Sequence, residues 1–238
     1  MRDNDFPGRW VTGTSLVLGP LLLLAGTLLR SGFHFFFPQQ LAAYAEHPGL
    51  VVAAYTCFAA GNLLLWPGIL ALARSIGLKH PLLAAWGGCL VIFGLFARTF
   101  HAGADLYALL LVDSLDQNSA VNAVARFYPA WGELSWHPVR VLAPAIVFGW
   151  IVLAVGAYRS RTLGLVASVA LGLACSQAIG ILKGTELPQS LIAVGGLCVA
   201  LIPLGVRELL SGPRPSGRAL AWLAVVGALV GLGVHFEV

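Results

Sequence analysis

Charge is what this chain lacks: of 238 residues only 10% are Asp, Glu, Lys or Arg, while 58% are hydrophobic. A water-soluble domain carries about 25% charged residues, so a single soluble globule is excluded. Metal and redox signatures are missing as well. No His-Glu-x-x-His, His-x3-His or Cys-x2-Cys pattern occurs, and Cys57, Cys89, Cys175 and Cys198 all stand in apolar runs, where cysteine behaves as a small hydrophobe. The basic residues come in short groups and form no interleaved basic and aromatic surface, which argues against a nucleic-acid partner. The formal charge of +4 is instead a topology signal.

What the chain has in abundance is apolar length. A helix needs about 20 apolar residues to cross the hydrocarbon of a bilayer. The sequence predicts one integral membrane domain over residues 1–238. Its expected fold is all-α, a polytopic bundle of about seven transmembrane helices at about 11–30, 50–72, 82–112, 139–157, 162–182, 188–206 and 219–236. The first run follows Arg2 and Arg9 and ends without a small-x-small cleavage site, so it reads as a signal anchor. The third is longer than one span needs, which calls for tilt or for extension past the membrane surface. Basic residues alternate along the chain: Arg2 and Arg9, then Arg74 and Lys79, Arg159 and Arg161, and Arg207, Arg214 and Arg218 fall on one side. The positive-inside rule therefore places the N-terminus in the cytoplasm and the C-terminus outside, with the cell (plasma) membrane as the expected location. Pro20, Pro67 and Pro203 are expected to open helices 1, 2 and 6. Asn62 and Trp66, near Pro67, stand where they would satisfy freed carbonyls or touch a ligand.

With that topology, His34, His47, His101, His137 and His235 fall in the outer half or the outer connections, and His80 falls inside. Glu46, Asp105, Asp113, Asp116, Glu133, Glu186 and Glu237 follow the same side. A compact ring of helices would gather such residues around one cavity opening outward. Loop residues are polar in any membrane protein, but Arg98, His101 and Asp105 lie inside a helix. They are spaced i, i+3 and i+7, on one helical face. Ionisable groups are costly at membrane depth and turn to the protein interior or a wet cavity, which marks this stripe as the leading site. The competing explanation is that Arg98 and Asp105 only fix helix packing.

The second constellation is the segment 127–138, where Glu133 and His137 are i, i+4 and Pro138 would open a helix. Its Tyr128, Trp131 and Trp136 are residue types of a headgroup interface. His101 with Asp105 and Glu133 with His137 make two His-carboxylate pairs, the expected catalytic residues. Arg98, His34, Trp131, Trp136 and Asn62 are the expected substrate-binding residues. His101, Asp105 and His137 would also serve as ligands for a divalent zinc or iron ion, and a metal-free acid and base pair would use the same groups. The sequence therefore points to an intramembrane enzyme of hydrolase, cyclase or isomerase type, acting on a lipid, isoprenoid or other amphiphile among membrane lipids. The alternative is a non-enzymatic protein, such as a small transporter, a resistance or export accessory or a complex subunit, that uses the cavity for ligand binding or assembly. Inner span halves nearly free of polar groups count against transport.

Overall fold

Long apolar runs fold as helices because hydrocarbon offers no partner for a backbone N–H or carbonyl, so each segment must satisfy its own. The computed structural model of the chain describes residues 6–133, 136–177 and 182–212, together with 217, 221–222, 224–225 and 227–228. Its elements are α1 (Arg9–Leu29), α2 (Gln39–Glu46), α3 (Pro48–Gly77), α4 (Pro81–Ser114), α5 (Gln117–Glu133) and α6 (Pro138–Val141), followed by α7 (Ala143–Arg159), α8 (Leu165–Gly172) and α9 (Gln189–Leu210). A 3-10 turn, Leu173–Ser176, extends α8. No strand occurs among the described residues. Proline opens α3, α4 and α6, a position where its missing N–H costs nothing.

Among the described residues five helices are long and apolar enough to cross a membrane: α1, α3, α4, the continuous stretch Pro138–Arg159, and α9. They make this a helical integral membrane protein. The 34 residues of α4 extend about 50 Å, well beyond the roughly 30 Å of hydrocarbon, a length that calls for tilt or for extension past the membrane surface.

The bundle is built on the antiparallel pairs α1 with α3 and α4 with α7, joined through α3 with α4 and closed by α9 against α1. Glycines let the helices of these pairs approach closely, Gly26 and Gly94 among them. A Cβ on Gly26 would lie 2.7 Å from the Ala54 carbonyl and 3.0 Å from the Phe58 amide, and one on Gly94 would lie 2.9 Å from Ile146 Cα. Gly26 thereby seats Phe58 beside the end of α1. Pro67 breaks the hydrogen-bond ladder of α3, and Ser15 of α1 repairs it. The Ser15 hydroxyl donates to the Leu64 carbonyl and accepts from the Gly68 amide at 2.8 Å, taking the place of one ladder bond. Asn62 and Trp66, the residues expected at this break, do something else. Asn62 bonds back to the Phe58 carbonyl at 2.8 Å, and the Trp66 indole N–H is buried without a partner.

The structure corrects the expected span list at two places. The connections 31–49 and 113–138, read as loops, contain α2 and α5. Among the described residues of the segment 162–182, expected as one span, the helical stretch is Leu165–Ser176, which at about 18 Å is too short to cross by itself. Beyond it come Gly184 and Pro188, weak helix formers that a hydropathy window does not register. The chain nevertheless traverses the bundle here, from Ser160, whose carbonyl accepts Lys79 at 3.0 Å, to Gly184, whose N–H bonds the Phe35 carbonyl at 2.6 Å. The expected span 219–236 falls largely outside the described residues, as do Arg2, Arg214, Arg218, His235 and Glu237.

Candidate functional site

The end of the bundle where α1 stops holds a small buried cavity. Arg30 caps the C-terminus of α1, about 31 Å of helix from Arg9, and Arg98 stands about 26 Å along α4 from Pro81. Both arginines stand at the same end of the bundle, on one cavity wall. Arg30, Arg98, His101 and Asp105 are 6%, 7%, 8% and 5% exposed, so all four are inside the protein. They line one cavity with Phe58 of α3, and Lys183 and Ser190 close its other wall. The cavity has about 20 Å3 of space for water, room for one molecule.

Aromatic faces hold the two arginines. The Arg30 guanidinium carbon lies 4.6 Å from the Phe58 ring centre and 5.0 Å from that of Tyr55, and the Arg98 carbon lies 5.7 Å from Phe58. Tyr55 in turn donates to the Gln40 side-chain oxygen at 3.4 Å, and Gln40 donates to the His34 carbonyl. Arg30 Nε donates to the Thr185 hydroxyl at 3.2 Å, which donates to the Thr27 carbonyl at 3.2 Å.

α4 faces Gln177 and Leu182, which stand outside helices on either side of residues 178–181. Arg98 Nη2 donates to the Gln177 carbonyl at 3.2 Å, a cation at the carbonyl end of a helical segment, where the helix dipole favours it. About two turns further along α4, the Asp105 carboxylate accepts the Leu182 N–H. Leu182 sits in the left-handed region at φ 51, costly for a side chain that carries a Cβ. The polar stripe thus supplies partners to backbone that has left the helix at membrane depth, the condition under which such backbone is tolerated there. His101, between them, has no such duty: its Nδ1 is buried and unpartnered.

Of the sequence-predicted site residues, Arg98, His101 and Asp105 meet in the cavity, and the others stand elsewhere. Glu133 is exposed at the end of α5, and His137 caps α6, its Nδ1 accepting the Val139 N–H at 3.4 Å. Glu133 is the last described residue of α5, and His137 has extended backbone at the start of α6. Leu134 and Ser135 between them lie outside the described residues. Trp131 stacks on Phe100 at 6.0 Å and packs on His137 at 5.3 Å, an aromatic cluster on the neighbouring face of α4. Trp136 is 91% exposed. His34 is exposed, with its Nδ1 accepting the Phe36 N–H, and Asn62 lies one turn below Phe58.

Among the described residues no three His, Cys, Asp or Glu side chains gather as a metal site would need. His101 and Asp105, with two arginines on the same cavity wall, do not fit a divalent cation, and the zinc or iron expectation finds no support. Arg30 and Lys183 are not among the sequence-predicted site residues, since each stands at the end of an apolar run, where a flanking charge is ordinary. Near this end Tyr44 of α2 donates to Asp113 at 2.5 Å, and that bond holds its phenol above the usual range. Comparison with known protein families, curated proteins and solved structures gives no match for this chain.

Proposed function

We propose that this protein is a membrane enzyme acting on the polar end of an amphiphile, with its site in the cavity of Arg30, Arg98, His101 and Asp105. The observation that carries the reading is the gathering of His101 and Asp105 on one cavity wall with two arginines, the His101 Nδ1, sealed in the present ring orientation, having no protein partner to give up. In this role His101 accepts and returns a proton, Asp105 holds local charge balance and the arginines hold the polar head. Glu133 and His137 are left out of that site, since neither lines the cavity.

In the proposed orientation the N-terminus is cytoplasmic and the cavity faces the outer side of the plasma membrane. Arg9, Arg74, Lys79, Arg159 and Arg207 support it, lying on helix ends and turns opposite the cavity. The helical stretch Leu165–Ser176 would then lie in the inner half, with Gln177 and residues 182–188 beside the cavity.

A second reading is non-enzymatic: Arg98 and Asp105 brace the backbone at Gln177 and Leu182, and the cavity serves binding or assembly. The hydrogen bonds to Gln177 and Leu182 favour it. Lipid profiling of host membranes separates the two. Expression of the parent chain is expected to change the pool of one amphiphile class, and His101→Gln at equal abundance to abolish that change. An identical profile with the parent chain and with empty vector would remove the enzyme reading.

A further inference from the structure

Charge in the cavity does not balance. Arg30, Arg98 and Lys183 place three cations on its wall against the single carboxylate of Asp105, a surplus of two positive charges. Arg98 and Arg30 each spend one hydrogen bond on protein, to Gln177 and Thr185. A guanidinium carries five N–H donors, so most remain free, and neither arginine has a nitrogen sealed from the cavity without a partner. No ion pair joins either to Asp105, whose carboxylate is engaged by Leu182. Uncompensated charge in such a place is costly, and a bound anion relieves it.

The geometry points to a phosphate-class anion as the ligand of this cavity: we propose that Arg30, Arg98 and Lys183 bind the phosphate monoester head of an amphiphile. This deepens the proposed function and rests on it. A phosphate monoester brings close to two negative charges, matching the surplus, and planar guanidinium forks suit its oxygens. In the proposed orientation both arginines stand near the outer boundary of the hydrocarbon, the level at which a lipid phosphate lies. Lys183 is half-buried, its amine held only against the Phe35 ring at 5.6 Å. Since the cavity has room for about one water, the head enters from the surface as the flexible Lys183 stem swings aside.

The test uses the purified full chain in maltoside micelles, titrated with short-chain phosphatidic acid, diacylglycerol of the same chains and inorganic phosphate, reading the thermal midpoint and the apparent Kd. Phosphatidic acid is expected to bind saturably and diacylglycerol not at all. Arg98→Gln and Lys183→Gln are expected to weaken binding about tenfold or more, as loss of a charged hydrogen bond does. Arg126→Gln, an exposed residue of α5, is expected to leave it unchanged. Inorganic phosphate that competes would support the same anion site with a soluble ligand as its source. Lys183 makes no hydrogen bond, so its variant decides the question if Arg98→Gln does not fold. Equal affinity in the Lys183 and Arg126 variants, or no response to either phosphate, overturns the proposal. Diacylglycerol binding without a phosphate response overturns the substrate class alone, and absence of any amphiphile binding overturns the underlying reading with it.

Discussion

Asp105 separates the structural from the chemical duties of the site, because two substitutions remove different parts of it. Its carboxylate accepts the N–H of Leu182, in a left-handed backbone position, and is 5% exposed. Asp105→Ala leaves that buried N–H without a partner, at a cost of about 1–3 kcal/mol. At roughly 2–4 °C per kcal/mol for a chain of this size, the thermal midpoint in micelles should fall by about 2–12 °C. Asp105→Asn keeps an oxygen for Leu182 while removing the negative charge, so its loss should be clearly smaller. Hydrogen exchange at the Leu182 amide provides the local readout: fast in the alanine variant, slow in the asparagine variant. Equal destabilisation by the two, with Leu182 protected in both, would refute the bracing of the Leu182 backbone by Asp105.

The repair of α3 makes a second quantity measurable: Ser15→Ala removes a hydroxyl that serves both Leu64 and Gly68, and should cost about 1–3 kcal/mol in a denaturant titration. Gly94→Ala places a Cβ 2.9 Å from Ile146 Cα, backbone that cannot swing away, and should lower stability by about 1–3 kcal/mol through separation of α4 and α7. Asp116 caps α5, its carboxylate accepting the Ser119 hydroxyl and, at 3.1 Å, the Ser119 amide, and these bonds hold its carboxyl below the usual range. A lowered folded pKa means the cap contributes above the unfolded value of about 3.9 and is lost as pH falls through the folded one. Exchange protection at Ser119 should therefore persist to pH values below about 4 and then disappear, and Asp116→Asn should remove that dependence.

Helix class, membrane placement and the central stripe were legible because each rests on a local signal. Apolar length marked the spans, and Arg98, His101 and Asp105 stood out by being costly where they are. What was not legible depends on how backbone leaves a helix. Hydropathy rates 162–182 as a span, since the departure after Ser176 exchanges helical bonds for bonds to Arg98 and Asp105, residues far away in sequence. Arg30 and Lys183 look like ordinary flanking charges until Phe58 and Gly184 bring them to the same wall. Glu133 and His137 have the spacing of one helical turn, but the residues between them include 134 and 135, which lie outside the described residues, and neither side chain lines the cavity.

The central claim is that the chain after α8 returns to the cavity end, beside the connection after α1, on the outer face of the membrane. It is tested most directly by a cysteine pair at Phe35 and Lys183, whose side chains meet at 5.6 Å, with Cys57, Cys89, Cys175 and Cys198 replaced by alanine. A short, membrane-impermeant bifunctional thiosulfonate added to intact cells is predicted to link the pair within one chain, giving a reducible shift in gel mobility. Absence of the link, or a link that forms only after the membrane is opened, would contradict the account.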